Sequence, residues 1–228
     1  MNHISARMKY FGLTDLPHFA NELLLPWPEA HFRDAEPYVI EEQRHGCASL
    51  NVFRVVGTKH PCYAGESWLN LLEKGKRMDR NLNEFSNNPD YYSETGAKIP
   101  YMQYVSIDSG DLYIGDEGNH RTCISRFHFY TKGLTILHGI TWLDYRIDWS
   151  FKSLCDEIQR VAAQNGTPIY LKINKHMVER RDASDWMLNK YALTAEILDT
   201  KNHCKQELDF DGLQKLLDRL KKPWWKIW

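Results

Sequence analysis

The sequence predicts an α+β protein. Segments in which apolar and polar residues alternate, the pattern of half-buried strands, are interspersed with segments whose apolar residues recur every three or four positions, the pattern of amphipathic helices. The composition, 43% hydrophobic and 26% charged over 228 residues, is that of a folded globular protein. The length allows one large domain or two small ones.

Three segments are predicted in the first hundred residues. Residues 49–56 have the character of a strand. A short amphipathic helix begins at Trp68 and ends near Gly75, because leucines follow the tryptophan at spacings of three and four. Residues 81–98 are polar and rich in asparagine, so we expect a long loop or flap there.

A strand pair, a helix and a further strand are predicted between residues 101 and 147. The pair, 101–108 and 111–115, is joined through Gly110, which can adopt the positive φ of a tight hairpin. A glycine turn then leads into a helix. The apolar residues on one face of this helix are Ile124, Phe127 and Tyr130. Residues 134–147 alternate as a strand again.

The rest of the chain predicts a helix, two strands and a helix. Apolar residues trace a helical stripe from Phe151 to Ala162, and alternation predicts strands at 169–173 and 193–197. A sequence resembling a capping box at Asp211 begins the last helix. We therefore predict a domain over residues 1–150 and a carboxyl-terminal α+β segment over residues 151–228, which either stands apart or packs with the first as one domain.

Charge and hydropathy restrict the function. The net charge is −1, so the whole molecule has no strong charge to attract nucleic acid or an anionic membrane, and any anion site must be local. No stretch approaches the ~20 consecutive apolar residues of a transmembrane helix, and the amino terminus lacks the pattern of a signal peptide. Five scattered cysteines without a CxxC pair disfavour both a disulfide framework and a zinc site. We expect a cytoplasmic protein.

A basic cluster follows the helix that begins at Trp68. Its members are Lys74, Lys76, Arg77 and Arg80. Positive side chains complement the negative end of a helix dipole, so the favoured interpretation of the cluster is a solvated helix end.

The turn before the third predicted helix is a candidate anion site. Gly118 and Asn119 begin the helix, whose first backbone N–H groups have no intrahelical partner and lie at the positive end of the dipole. Arg121 in the first turn can offer a two-pronged donor to phosphate. Asp116 and Glu117 are suited to hold a Mg²⁺ that neutralises a phosphate, or to activate a water.

The same turn also has a purely structural interpretation. Residues 116–119 would then only turn and cap the chain, His120 would pack beside Ile124, and Arg121 would pair with an acidic neighbour. The two interpretations differ in whether the turn faces a cleft.

Residues 101–147 resemble the core of the ParB/sulfiredoxin (ParB/Srx) superfamily. In that family a strand pair leads into a Gly-x-His-Arg turn, a helix and a further strand, and this chain has Gly118, Asn119, His120 and Arg121 at the turn. The resemblance implies a ParB/sulfiredoxin-like mixed sheet with flanking helices, extended here by the carboxyl-terminal α+β segment. It also implies binding of nucleotide phosphates at the turn.

Two departures narrow the function that the resemblance implies. Asn119 stands where sulfiredoxin-like chemistry needs a cysteine, so sulfinic acid reduction is not expected. Residues 151–228 do not have the pattern of the helix-turn-helix domain of chromosome-partitioning members. The remaining similarity is to the plasmid fertility-inhibition branch (Osa/FiwA-like), which implies nucleoside triphosphate hydrolysis, DNA cleavage or both, in plasmid conjugation or DNA maintenance.

These implications assign a role to each residue of the turn. The expected nucleotide-binding residues are Gly118, Asn119, His120, Arg121 and Thr122; the catalytic residues are Glu117, His120 and Arg121; the Mg²⁺ ligands are Asp116 and Glu117. ATP or CTP is the expected ligand, and DNA is a further expected partner.

Two other features leave alternatives open. The tail that ends the chain interleaves lysines with Trp224, Trp225 and Trp228, and it could bind a partner, bases or a membrane surface, or fold back on the core. The alternative function is therefore a non-catalytic interaction or inhibitor protein that uses this tail. Asp144 and Asp148 are explained equally well as surface polar residues and as metal ligands.

Overall fold

The computed structural model describes residues 6–166, 169–199 and 204–222. Within these residues the protein is α+β, with a mixed sheet and six α-helices, as the sequence predicts. The strands are β1 (Leu25–Pro26), β2 (Val39–Asn51), β3 (Val55–Thr58), β4 (Gln103–Ile107), β5 (Leu112–Ile114), β6 (Ile136–Ile147), β7 (Tyr170–Ala183), β8 (Trp186–Asp199) and β9 (Cys204–Leu208). The helices are α1 (Glu29–Ala35), α2 (Trp68–Lys74), α3 (Met78–Asn87), α4 (Asn119–Lys132), α5 (Trp149–Gln164) and α6 (Phe210–Lys221).

The chain divides into two units that are discontinuous in sequence. The described residues of the first unit lie within Met1–Pro28, Gln43–Asp144 and Asp182–Met187. Those of the second lie within Glu29–Glu42, Tyr145–Arg181 and Leu188–Trp228. The division thus differs from the predicted boundary at residue 150, because a segment near the amino terminus belongs with the carboxyl-terminal elements.

Strands β1-β3-β5-β4-β6-β2 neighbour one another in this order, and residues 136–144 of β6 and 43–51 of β2 belong to the first unit. Strand β3 runs parallel to both β1 and β5, and β4 runs antiparallel to β5, with Tyr104 opposite Ile114 and Val105 opposite Tyr113. The predicted hairpin is therefore confirmed. Because β5 leads directly into α4, the hairpin positions the start of that helix at the end of the strand.

Helices α2 and α4 supply much of the core of the first unit. Helix α2 begins at Trp68, as predicted, and Ser67 caps it by accepting a hydrogen bond from the amide of Asn70 at 3.1 Å. Gly75 ends the helix, also as predicted. The buried side chains of these two helices include Trp68, Leu71, Leu72, Ile124, Phe127 and Phe129. Burying each side chain of this kind stabilises a fold by about 1.5–3 kcal/mol.

The expectation of a loop over residues 81–98 was wrong at its amino-terminal end. Helix α3 covers residues 78–87, and a turn of 3₁₀-helix follows at Pro89–Tyr92. Met78, Leu82 and Phe85 form one buried face at spacings of four and three. Packing of this face, rather than the weak helix propensity of its asparagines, accounts for the helix.

The second unit contains three neighbouring strands in the order β2-β8-β7, with β9 antiparallel to the end of β8. Strands β7 and β8 each have 14 residues, so they extend well beyond the predicted 169–173 and 193–197, and β9 was not predicted. Helices α5 and α6 bury an apolar stripe each, with Leu154, Ile158, Leu213 and Leu217 among their buried residues. In the described residues, no helix combines the length and the apolar character needed to cross a bilayer.

Candidate functional site

A cleft of about 730 Å³, lined by many charged side chains, lies in the first unit. It is bounded by the end of α2, the start of α3, the turn before α4 and the loop after β3. We call it the cationic cleft, and its walls include His60, Cys62, Tyr63, Lys74, Lys76, Arg77, Arg80, Asn81, Glu84, Pro100, Tyr101 and residues 116–121.

The start of α4 lies on one wall of the cationic cleft. Gly118 has a φ of 120°, a conformation that side chains rarely tolerate, and it turns the chain into the helix. The first hydrogen bond of the helix runs from the amide of Thr122 to the carbonyl of Gly118 at 2.7 Å. The amides of residues 119–121 precede that bond, so they are the N–H groups that a helix leaves for an external acceptor.

The basic cluster lies on the same cleft. The side chains of Lys74, Lys76 and Arg77 are exposed, and none forms an ion pair with any described residue. Arg80 is different, since its Nε donates to Glu84 at 2.9 Å. The cluster is therefore not only a solvated end of α2. Three cations without an ion-pair partner among the described residues line the same cleft as the start of α4.

Gly75 permits the close approach of this cluster to α4. A Cβ at Gly75 would lie 3.0 Å from Cδ2 of His120 and 2.6 Å from the carbonyl oxygen of Leu71. The contact with the Leu71 carbonyl is too short for a real side chain, and the contact with His120 is tighter than most. The glycine between Lys74 and Lys76 thus lets the basic segment lie against the first turn of α4.

His120 is half-buried and hydrogen-bonded in the wall of the cleft. Its Nε2 lies 3.1 Å from the hydroxyl oxygen of Tyr63, whose ring stacks on His60 with centroids 4.4 Å apart. Burial, and then the positive charge of Arg77, lower the pKa of His120 to about 4. The imidazole is therefore neutral near pH 7, and its environment is one that a bound anion would change.

Arg121 is largely buried, at 9% exposure, and its guanidinium is engaged within the protein. Nη1 donates to the carbonyl of Pro100 at 2.5 Å and to the hydroxyl of Tyr91 at 3.4 Å, and Nη2 donates to Glu117 at 3.4 Å. The pairing with an acidic neighbour is the one expected from the structural interpretation of the turn. Arg121 and Pro100 both line the cleft, and the hydrogen bond between them fixes the segment at Pro100 there.

The side chains of Asn119 and Thr122 hold the turn in place by buried hydrogen bonds. Asn119 is 6% exposed, and its Oδ1 accepts a hydrogen bond from the hydroxyl of Thr58 at 2.6 Å. The buried hydroxyl of Thr122 donates to the carbonyl of Gly118 at 2.8 Å and lies 2.7 Å from that of Tyr104. Both side chains are thus occupied by the fold, and Thr122 does not line the cleft. Contacts to a phosphate at the turn would come from backbone amides.

Asp116 and Glu117 both line the cleft, as the sequence analysis required of Mg²⁺ ligands. The Asp116 amide donates to Oε1 of Gln103 at 3.0 Å, which fixes the backbone of the turn. The described residues contain no group of three or more His, Cys, Asp or Glu side chains that could hold a metal on its own. An ion here would need oxygen ligands from the substrate as well.

The structure brings together residues that the sequence analysis kept apart. The sequence pattern favours a solvated helix end for Lys76 and Arg77, and it contains no signal for Tyr63. The signal in the sequence was the run of cations around Gly75, but nothing in the sequence shows that this run faces the turn at Gly118. Trp224, Trp225 and Trp228 lie outside the described residues, so the alternative of an inhibitor that acts through the tail stays a prediction.

Comparisons of this chain with protein-family models, with curated proteins and with solved structures found no match. The resemblance to the ParB/sulfiredoxin superfamily therefore stays a prediction that rests on the turn and its neighbouring strands.

Proposed function

We propose that this chain is a ParB/sulfiredoxin-like nucleotide-binding protein that binds ATP or CTP by its phosphates in the cationic cleft and hydrolyses it. The observation that carries the proposal is that the unpaired cations Lys74, Lys76 and Arg77 line the same cleft as the start of α4. The three cations repel one another, and a bound anion would reduce this repulsion. The same anion would interact favourably with the positive end of the α4 dipole.

The size of the cleft supports a ligand larger than a single phosphate. Its volume of about 730 Å³ falls within the range of ~300–1,000 Å³ that is usual for cofactor and drug-sized ligands. Lys76 and Arg77 offer a point charge and a planar fork of donors, respectively, and both are common partners of phosphate groups.

The two carboxylates of the cleft fit a triphosphate that carries Mg²⁺. This ion is usually held by one or two carboxylates together with substrate phosphates and waters, and Asp116 and Glu117 provide that number. When bound, Mg²⁺ supplies neutralisation of the phosphate charge beside these carboxylates. Without it, Asp116 and Glu117 would repel a bare phosphate.

Hydrolysis in this cleft would depend on positioning and electrostatics, as phosphoryl transfer generally does. In the proposal Glu117 orients and deprotonates the attacking water. Neutral His120, held by Tyr63, is a hydrogen-bonding group at the phosphates. Arg121, whose guanidinium stays bonded to Pro100 and Glu117, contributes its positive charge beside the transferred group. DNA cleavage would place a phosphodiester at the same residues, and it stays a prediction from the resemblance.

Binding is tested by calorimetric titration with inorganic tripolyphosphate, ATP and CTP, all in the same excess of Mg²⁺. We expect a double variant, Lys76→Ala with Arg77→Ala, to bind each of them at least about tenfold more weakly, because two charge-assisted contacts are lost. The matched control is Lys9→Ala with Lys132→Ala, which removes the same charge from exposed positions outside the cleft. Equal affinity of the two double variants would overturn the proposal.

Turnover is tested by measuring phosphate release. Glu117→Gln keeps the shape of the side chain but removes the proton acceptor, so we expect release to fall about a hundredfold or more while binding persists. Undiminished release by this variant would rule out the role of Glu117.

A further inference from the structure

A second cavity, of about 300 Å³, adjoins the cationic cleft. It lies between the end of α3 and the segment that carries Ile99 and Pro100. Glu84, Pro100 and Arg121 line both cavities, so the two share part of their walls.

The walls of the second cavity are aromatic and fixed in place. The Tyr91 hydroxyl donates to the carbonyl of Pro100 at 2.8 Å, and its ring meets that of Tyr92 edge to face at 5.0 Å. The ring of Phe85 in turn lies 5.6 Å from that of Tyr92. Burial raises the pKa of Tyr91, which keeps its hydroxyl protonated as a donor. The cavity is thus preformed. Phe85 and Tyr92 are largely buried, and the half-buried Tyr91 is the most exposed of the three rings.

Ile99 lines this cavity with 86% of its surface exposed. A single exposed aliphatic side chain is common on protein surfaces. Ile99, however, lines a concave cavity, where its apolar surface would be covered by a ligand. A planar ring is the ligand shape that aromatic and aliphatic walls favour.

Polar side chains at the same cavity are suited to the edge of such a ring. Glu84, Asn87 and Asn88 line it. A carboxylate accepts a hydrogen bond from an exocyclic amino group, and a side-chain amide can both donate and accept. One oxygen of Glu84 accepts from Arg80, which leaves the other for a ligand.

We propose that this second cavity binds the nucleobase of the nucleotide whose phosphates occupy the cationic cleft, and that it favours bases with an exocyclic amino group, as in ATP and CTP. The inference rests on the proposed function. Arg121, which lines both cavities, lies between the base and the phosphates.

The test compares ligands with and without a base. Calorimetric titrations with inorganic tripolyphosphate, ATP and UTP, all in the same excess of Mg²⁺ so that only the base differs, are made on the wild-type protein and on Ile99→Ser. We expect wild type to bind Mg·ATP more tightly than tripolyphosphate and than Mg·UTP, which lacks the amino group. Ile99→Ser should bind Mg·ATP about fivefold to tenfold more weakly, because apolar surface at the base is lost, and should bind tripolyphosphate unchanged.

Ile136→Ser is the matched control, because Ile136 is also exposed, at 41%, but lines neither cavity. It should bind all three ligands like wild type. If tripolyphosphate binds wild type but the base adds no affinity, or if Ile99→Ser leaves Mg·ATP binding unchanged, the inference is overturned while the proposed function stands. If no probe binds wild type, both are overturned.

Discussion

The Nε2 atom of His120 lies 3.1 Å from the hydroxyl oxygen of Tyr63, and both side chains line the cationic cleft. Burial is the main cause of the low pKa of His120, and the positive charges of Arg77 and Arg121 are among the further causes. A polyanion in the cleft would offset those charges. We therefore expect the pKa of His120 to change when an anion binds in the cleft.

We expect tripolyphosphate to raise the pKa of His120 from about 4, because the anion stabilises the protonated ring. The measurement is an NMR titration of the histidine Cε1–H signals with and without the anion. His128 is an internal control, since its pKa is also lowered by burial but it does not line the cleft. A shift of His128 equal to that of His120 would point to a non-specific effect.

His120 also predicts how stability depends on pH. Its folded pKa of about 4 lies below the ordinary 6.5, so the unfolded chain takes up a proton first as the pH falls. The contribution to stability is complete above pH 6.5 and is lost as the pH falls from 6.5 towards 4. Allowing for solvent screening of the partly exposed ring, we expect a loss of about 1–2 kcal/mol. The measurement is the free energy of urea unfolding of wild type and His120→Gln between pH 4 and 6.5. The same pH dependence in both proteins would show that His120 does not cause the loss.

Gly75→Ala should destabilise the protein and disturb the cleft. The added Cβ would meet the Leu71 carbonyl at 2.6 Å and the His120 ring at 3.0 Å, so the backbone near the basic cluster must move. We expect a loss of about 1–3 kcal/mol in urea unfolding and weaker binding of tripolyphosphate. Gly96→Ala is the control, because no heavy atom lies within 4 Å of the added Cβ. Equal effects of the two substitutions would show that the contact with His120 is unimportant.

Much of the fold could be predicted where the pattern is local. The β4–β5 hairpin is signalled by alternation around Gly110, and α2 by its leucines and the terminating Gly75. Helix α3 was missed because Met78, Leu82 and Phe85 are separated by asparagines and followed by a proline, so only tertiary packing reveals its buried face. Most residues of β7 after Leu171 are exposed, and they lack a strong alternation of apolar and polar side chains. The sequence pattern therefore predicts this strand too short.

The candidate site could be predicted only in part, because it depends on contacts between distant segments. The turn at Gly118 is a local signal of a helix start. The unpaired state of Lys76 and Arg77, and their position opposite that turn, depend on how α2 and α4 pack. The engagement of Arg121 with Pro100 likewise joins residues 21 positions apart, and no spacing rule predicts it.

Arg126 is a second arginine of α4, and its role is structural. It is 2% exposed, and its guanidinium donates to the carbonyl of Val55 at 2.9 Å and to Glu22 at 3.2 Å while lying 4.3 Å from the centre of the Trp68 ring. Arg126→Met keeps the volume but leaves a buried carbonyl without its donor. We expect a loss of about 3 kcal/mol in urea unfolding.

Glu22→Gln is the comparison for Arg126, because it removes only the charge of the partly exposed partner. We expect a loss of about 1 kcal/mol or less. If Arg126→Met were no more destabilising than Glu22→Gln, the guanidinium would not be needed in the core.

Asp144 is not a surface residue: it is buried and anchors the β4–β5 hairpin. It is 2% exposed, and its carboxylate accepts hydrogen bonds from the hydroxyl of Ser106 at 2.5 Å and from the amide and hydroxyl of Ser109 at 2.9 and 2.8 Å. Ser109 has a φ of 55°, a conformation that the carboxylate helps to hold. Asp148, by contrast, caps α5 by accepting from the amide of Phe151 at 2.8 Å.

The two aspartates should therefore differ in the cost of their removal. Asp144→Ala removes the acceptor of three donors, of which only the Ser106 hydroxyl is buried, since Ser109 is exposed to water. We therefore expect a loss of about 1–3 kcal/mol in urea unfolding and faster amide exchange at Ser109. Asp148→Ala removes one helix cap, for which about 1 kcal/mol is typical. Because the hairpin leads through β5 into α4, loosening it should also weaken tripolyphosphate binding. Unchanged binding in a destabilised Asp144→Ala protein would show that the start of α4 is held independently of the hairpin.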